Sequence, residues 1–166
     1  MTQEVKFPIR FKFDVDKFIA AVSFLAEQGL KDLDKLKICK LLYFADKYHL
    51  IHFGRPILGD TYYHLDNGPV PSRALDIMNE IICNDIVSKV DASNKVKFLE
   101  YLKLKKNFLT HRFPIFEAIK KANLDYLSGS EQEALRDVVK CYGKYSPPDL
   151  IDLTHKEAPW LETQNN

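Results

Sequence analysis

Apolar and polar residues alternate at the start of the chain: Val5, Phe7, Ile9, Phe11 and Phe13 are apolar, while Lys6, Pro8, Arg10 and Lys12 are not. A period of two predicts a half-buried strand over Val5 to Phe13, and Pro8, which lacks an N–H, places that strand at a sheet edge. From Asp14 the period lengthens. Val15, Phe18, Ile19, Val22, Leu25 and Ala26 fall on one helical face, with Asp14 suited to cap the helix and Gly29 to end it. A second helix, Leu33 to Phe53, is apolar almost all round at Leu41 to Ala45 and polar only along a stripe of Lys37, Lys40 and Lys47, the pattern of a central buried helix.

Gly54 and Pro56 end that helix, Thr61 to Leu65 suits a short strand, and Asp66-Asn67-Gly68-Pro69 is rich in turn formers. A third helix is expected near Pro71, packing Ala74, Leu75, Ile77, Met78, Ile81 and Ile82. Val96, Phe98, Leu102 and Leu104 then alternate with Lys97, Leu99, Tyr101, Lys103 and Lys105, which predicts a hairpin over Val96 to Phe113 turning near Lys106-Asn107. Pro114 is expected to open a short helix to Ala122. Ser130 and Glu133 have the spacing of a capping box for a helix from Glu131 to Tyr142, with Gly143 as its stop. Ser146-Pro147-Pro148-Asp149 opens a last short helix through Leu150 and Leu153. The expected fold is mainly α (α+β): a compact bundle of about six helices around a central buried helix, with a small antiparallel β-sheet or hairpin.

At 166 residues, and without internal repeat or linker, the chain is expected to form a single domain over residues 1–166. No run approaches the ~18 apolar residues of a membrane span, and Met1 to Lys17 lacks a signal-peptide core, so a cytoplasmic location is expected. Cys39, Cys83 and Cys141 form no CxxC pair, and their apolar neighbours predict buried structural thiols in a reducing compartment. The net charge of +1 hides an uneven distribution. From Lys95 to Lys121 eight Lys or Arg face two acids, and from Ala122 to Asn166 eight acids face four basic residues.

Candidate chemistry fails mostly on spacing. Asp46, His49 and His52 lie three apart, but at about 100° per residue the first and last point roughly 240° apart, so the three do not converge on a metal. His64, His111 and His155 accompany no recognisable nucleophile motif. Gly54 to Gly68 matches neither GxGxxG nor GxxxxGK[ST], and the prolines of Gly68-Pro69-Val70-Pro71-Ser72 remove donors that an anion cradle needs. No catalytic residue, metal or cofactor is expected. The basic stretch interleaves Phe98, Tyr101, Phe108, Phe113 and Phe116 with lysines, which suits either a single-strand-binding surface or a hairpin with core aromatics and solvated lysines.

Several ordered motifs coincide from Lys40 to Glu80: KLLYFAD (Lys40 to Asp46), GRPI (Gly54 to Ile57), GDTY (Gly59 to Tyr62) and GPVPS (Gly68 to Ser72). LSGSEQEALRDVVKCYG (Leu127 to Gly143), LTHKEAPW (Leu153 to Trp160) and FDVDKFIAAVSFLA at the first helix extend the match. Together they resemble the Panacea domain, the SocA-like antitoxin domain. No motif covers Ile86 to Asp125, and Gly129 stands where the family more often has an acid. The resemblance implies an antitoxin of a bacterial or phage toxin–antitoxin pair, without catalytic residues, that neutralises a cognate protein toxin, expected from the adjacent gene, by binding it.

 

The resemblance also assigns the motif positions. Gly59, Gly68 and Gly143 are implied as turns, Pro69, Val70 and Pro71 as a helix approach, and Ser130 as a cap. The surface-capable members, and so the implied partner-binding residues, are Arg55, Tyr62, Ser72, His155 and Trp160. A DNA-binding autorepressor, a protease adaptor and an enzyme acting on the toxin are the alternative functions. The docking segments considered are the edge strand Val5 to Phe13, the tail His155 to Trp160, and the basic stretch Lys95 to Arg112.

Overall fold

The computed structural model describes residues 10–83, 91–106 and 113–163, apart from the side chains of Trp160 and Thr163. In chain order the elements are α1 (Val15–Glu27), α2 (Lys35–Phe53), β1 (Tyr62–Leu65), β2 (Gly68–Pro71), α3 (Ser72–Cys83), α4 (Ala92–Tyr101), β3 (Leu102–Lys105) and β4 (Ile115–Ala118). A 3-10 turn (Leu124–Tyr126), α5 (Gly129–Tyr142), α6 (Pro147–Thr154) and α7 (Ala158–Thr163) follow. Each sheet is a two-stranded antiparallel ribbon, β1 with β2 and β3 with β4. The expected class, mainly α with a small β component around a central helix, is the one observed.

Helix α2 is that centre, packed against α1, α3, α5, α6 and β2. Ile38, Cys39, Leu41, Leu42, Phe44 and Ala45 bury it in a core shared with Phe18, Val22 and Leu25 of α1 and Leu135 and Val138 of α5. Its first turn is closed by Asp34, whose Oδ1 accepts from the Lys37 N–H at 2.9 Å. Asp14 does the same for α1, accepting from the Lys17 N–H at 3.0 Å, and Ser146 and Asp149 form a capping box on α6.

Four expectations are corrected. The N-terminal strand is not observed in its described part: Arg10 to Asp14 adopt no regular element, and Val5 to Ile9 lie outside the described residues. The basic stretch is not a hairpin from Val96. Asp91 caps a helix there by accepting from the Ser93 N–H, and only Leu102 to Lys105 is strand, paired with Ile115 to Ala118 in place of the helix expected after Pro114. The expected turn at Asn107 lies outside the described residues. The α5 cap is Ser128 with Glu131, not Ser130 with Glu133. Finally, only Cys39 is buried, whereas Cys83 and Cys141 are exposed at the ends of α3 and α5.

Candidate partner-binding surface

The buried body of α2 carries polar groups where a core would ordinarily be apolar. Lys37 donates to the carbonyls of Lys31 and Gly143, both at 2.8 Å. Lys40, fully buried, donates to the Pro69 carbonyl at 2.9 Å. Desolvation pushes both pKa values down, at Lys37 against the pull of the Asp32 and Asp34 charges, and at Lys40 to about 8. The polar stripe at Lys37 and Lys40 is therefore internal to the fold. Gly68 leaves room for it: at φ +90°, a Cβ would lie 2.6 Å from Thr154 Oγ1 and 2.8 Å from Lys40 Nζ.

One turn further on, Asp46 Oδ1 accepts from the N–H groups of Ile57 and Leu58 at 2.7 and 3.0 Å, and Oδ2 accepts from the Tyr62 hydroxyl at 2.9 Å. Burial raises its pKa to about 6 against the pull of those three bonds. His49 places Nδ1 2.7 Å from the Arg55 carbonyl and Nε2 3.0 Å from Ser130 Oγ. Because a carbonyl only accepts, Nδ1 is the donor. Asp60 receives the N–H groups of Arg73 and Ala74 and the Ser72 hydroxyl, closing the start of α3. Gly59, at φ +68°, lets the Lys12 carbonyl cross where a side chain would stand.

Glu131 joins three elements. Its Oε1 accepts from Arg55 and, at 2.6 Å, from Lys17, while Oε2 accepts from the Ser128 N–H at 2.8 Å. Burial alone would raise its pKa, but the bonds from Lys17, Arg55 and Ser128 outweigh it and hold the carboxyl at about 2. The motif residues thus lace α2 to the β1–β2 ribbon, to α5 and to α1.

The last turn of α2 is the reverse. Leu50, Ile51 and Phe53 are 46%, 66% and 49% exposed. Beside them a groove of about 290 Å³ runs between α2 and α5, lined by Phe44, Tyr48, Ile51, Val138 and Tyr142, with His52, Asp137 and Cys141 at its rim. Phe44 stacks on Tyr142 with ring centroids 4.1 Å apart, and Tyr48 on His52 at 4.0 Å. Lys47, also on the groove, is paired with Glu157 just before α7. Asp137 makes no hydrogen bond or ion pair among the described residues.

The residues singled out from the sequence are divided between these settings. Arg55 is half-exposed but tied to Glu131, the Tyr62 hydroxyl points in to Asp46, and Ser72 faces Asp60. His155 follows α6 and is partly buried; Trp160 lies on α7, its side chain outside the described set. Pro69, Val70 and Pro71 form β2 with Gly68 instead of opening α3, which starts at Ser72. Gly143 lets the α5 end approach Leu30 and offers its carbonyl to Lys37. Ser130 serves His49 rather than the helix end. The groove was missed because its residues are scattered over two helices; the i, i+3, i+4, i+7 series Phe44, Lys47, Tyr48 and Ile51 is the signal that marks half of it.

In the basic stretch Phe98 and Phe116 are buried, 5.7 Å apart in the core with Phe18, so they are not open to stacking bases. Lys97 pairs with Asp16, and Lys103 and Lys105 with Glu117. Phe108 and His111 lie outside the described residues. Among the described residues no group of three or more His, Cys, Asp or Glu is placed to hold a metal, and no helix is long and apolar enough to cross a membrane.

Fold and site together define a mainly helical domain whose shared-motif side chains are largely engaged inside it and whose apolar groove faces out. The family model described as "Antitoxin SocA-like, Panacea domain" matches residues 38–161, from α2 into α7. The chain belongs to that family, as its motifs led us to expect. No curated protein and no solved structure matches it.

Proposed function

We propose that this chain is the antitoxin of a toxin–antitoxin pair and that it neutralises a protein toxin in the cytoplasm by direct, stoichiometric binding. Membership of the SocA-like antitoxin family is the observation that carries this reading. The geometry agrees with it: Lys40, Asp46, His49 and Glu131, the groups with most chemistry to offer, are buried and bonded to the fold, while the open surface is an apolar groove. The DNA-binding alternative receives no support from lysines already paired with Asp16 and Glu117.

The test expresses the adjacent reading frame alone and together with this chain at graded levels. Growth arrest by the neighbour alone, relieved once this chain reaches an equimolar level, with both proteins eluting as one complex, is the expected result. Relief at a small fraction of equimolar would point instead to an adaptor or an enzyme.

A further inference from the structure

We infer that the α2–α5 groove is where the toxin docks, and that the docking segment is an amphipathic helix carrying a Lys or Arg against Asp137. This deepens the antitoxin reading and rests on it. The inference begins with shape and polarity: Phe44, Tyr48, Val138 and Tyr142 form an apolar floor between two helices, and Ile51 stands at its wall with two thirds of its surface open. An apolar channel between helices suits the apolar stripe of a third.

Charge then selects among such helices. The Lys47 cation is neutralised by Glu157, whereas the half-buried Asp137 carboxylate has no partner among the described residues. The uncompensated charge of the groove is therefore negative. A cationic side chain flanking an apolar stripe satisfies Asp137, and an acidic segment is repelled.

Two full-length variants test this against the toxic product of the adjacent reading frame, the protein silenced in the growth assay. Asp137→Arg reverses the free charge and Ile51→Arg puts a cation on the wall; both positions are partly or largely exposed, and both melts should match the parent. Each is expected to weaken the complex by roughly tenfold or more and to abolish growth protection. Glu100→Lys, on the exposed side of α4, should leave both readouts unchanged. A second measurement needs no variant: alkylation of Cys141 at the groove rim should slow in the complex while that of Cys83 does not.

Folded variants that bind and protect like the parent, or a Cys141 that stays equally reactive in the complex, overturn the inference and leave the antitoxin reading standing. So does a parent that self-associates through the groove, seen as a dimer that Ile51→Arg dissociates without loss of toxin binding. If the parent itself neither binds nor protects, the antitoxin reading fails and this inference with it.

Discussion

The body of α2 and its last turn differ in what they leave to solvent. Up to His49 the helix buries Lys37, Lys40, Asp46 and His49, and its last turn exposes Leu50, Ile51 and Phe53. The difference is one of partners. Each buried polar group meets a donor or acceptor fixed by another element: Gly143 and Pro69 carbonyls, Ile57 and Leu58 amides, the Ser130 hydroxyl. The exposed apolar groups meet none. Polar groups buried this way lock the helix in one register, because any rotation leaves them unpaired at a cost of about 1–3 kcal/mol each. The exposed last turn contributes little to that register, and it flanks the groove proposed above as the docking site.

The largest test of this contrast places one more carboxylate in the buried body of α2 where no partner waits. Leu42 lies in the core one turn before Asp46. Leu42→Asp buries a charge without the three donors that hold Asp46, a loss comparable to much of the roughly 5–15 kcal/mol that keeps a domain folded. Circular dichroism should show an unfolded or molten chain; a melt like the parent's would mean that donors are not what makes Asp46 tolerable.

Glu131→Gln comes next. It keeps the capping box geometry but removes the charge that Lys17 and Arg55 share, and is expected to cost about 2 kcal/mol, at the low end for a broken pair because both cations reach solvent. The pH dependence has a definite sign. A carboxyl held at about 2 in the fold stabilises it above the ordinary glutamate value, and that stability is lost as pH falls from about 4.5 toward 2. Denaturant melts of the parent should lose stability through that window, and the variant should lose less.

This hub also shows what was legible in the sequence. Leu127 to Glu133 contains two overlapping Ser-x-x-Glu spacings, Ser128 with Glu131 and Ser130 with Glu133, and local pattern favours neither. Lys17 from α1 and Arg55 after α2 decide for Glu131, and such distant partners leave no mark on the local spacing. The strong local signals were read correctly: the caps Asp14 and Ser146, the apolar belt Leu41 to Ala45, the strand at Tyr62. In Val96 to Leu104 a period of two arose by coincidence, since a helix to Tyr101 followed by a strand puts Phe98 and Leu102, four apart, into the core together. The partners of Lys37 and Lys40 were not legible because they are carbonyls, which carry no sequence signature.

Lys40→Met gives a smaller effect and a cleaner comparison. Removing the buried cation relieves its desolvation, while the Pro69 carbonyl loses its donor; the two oppose, and the net change at neutral pH is expected within about 1 kcal/mol. The slope with pH is the sharper readout. A lysine held at about 8 in the fold and near its ordinary 10.5 when unfolded binds a proton more readily in the unfolded chain, so stability rises with pH between those values. Cys39, raised to about 12 by burial, acts the other way above about 9, so the Lys40 contribution is read as the parent minus the variant. An equal slope in both would mean that Lys40 stays charged or hydrated in the fold.

The smallest expected effect on stability is in the exposed last turn. Ile51→Ser removes an aliphatic side chain that is two thirds exposed, so little buried area is lost, and the hydroxyl meets water. Serine is a weaker helix former than isoleucine by only a few tenths of a kcal/mol, and the residue lies in the last turn of α2 where fraying already lowers that cost. Stability should change by no more than about 0.5 kcal/mol, in contrast to Leu42→Asp nine positions earlier on the same helix. A loss of several kcal/mol in a urea melt would show that Ile51 belongs to the core of this chain, and that the last turn of α2 does not differ from its body.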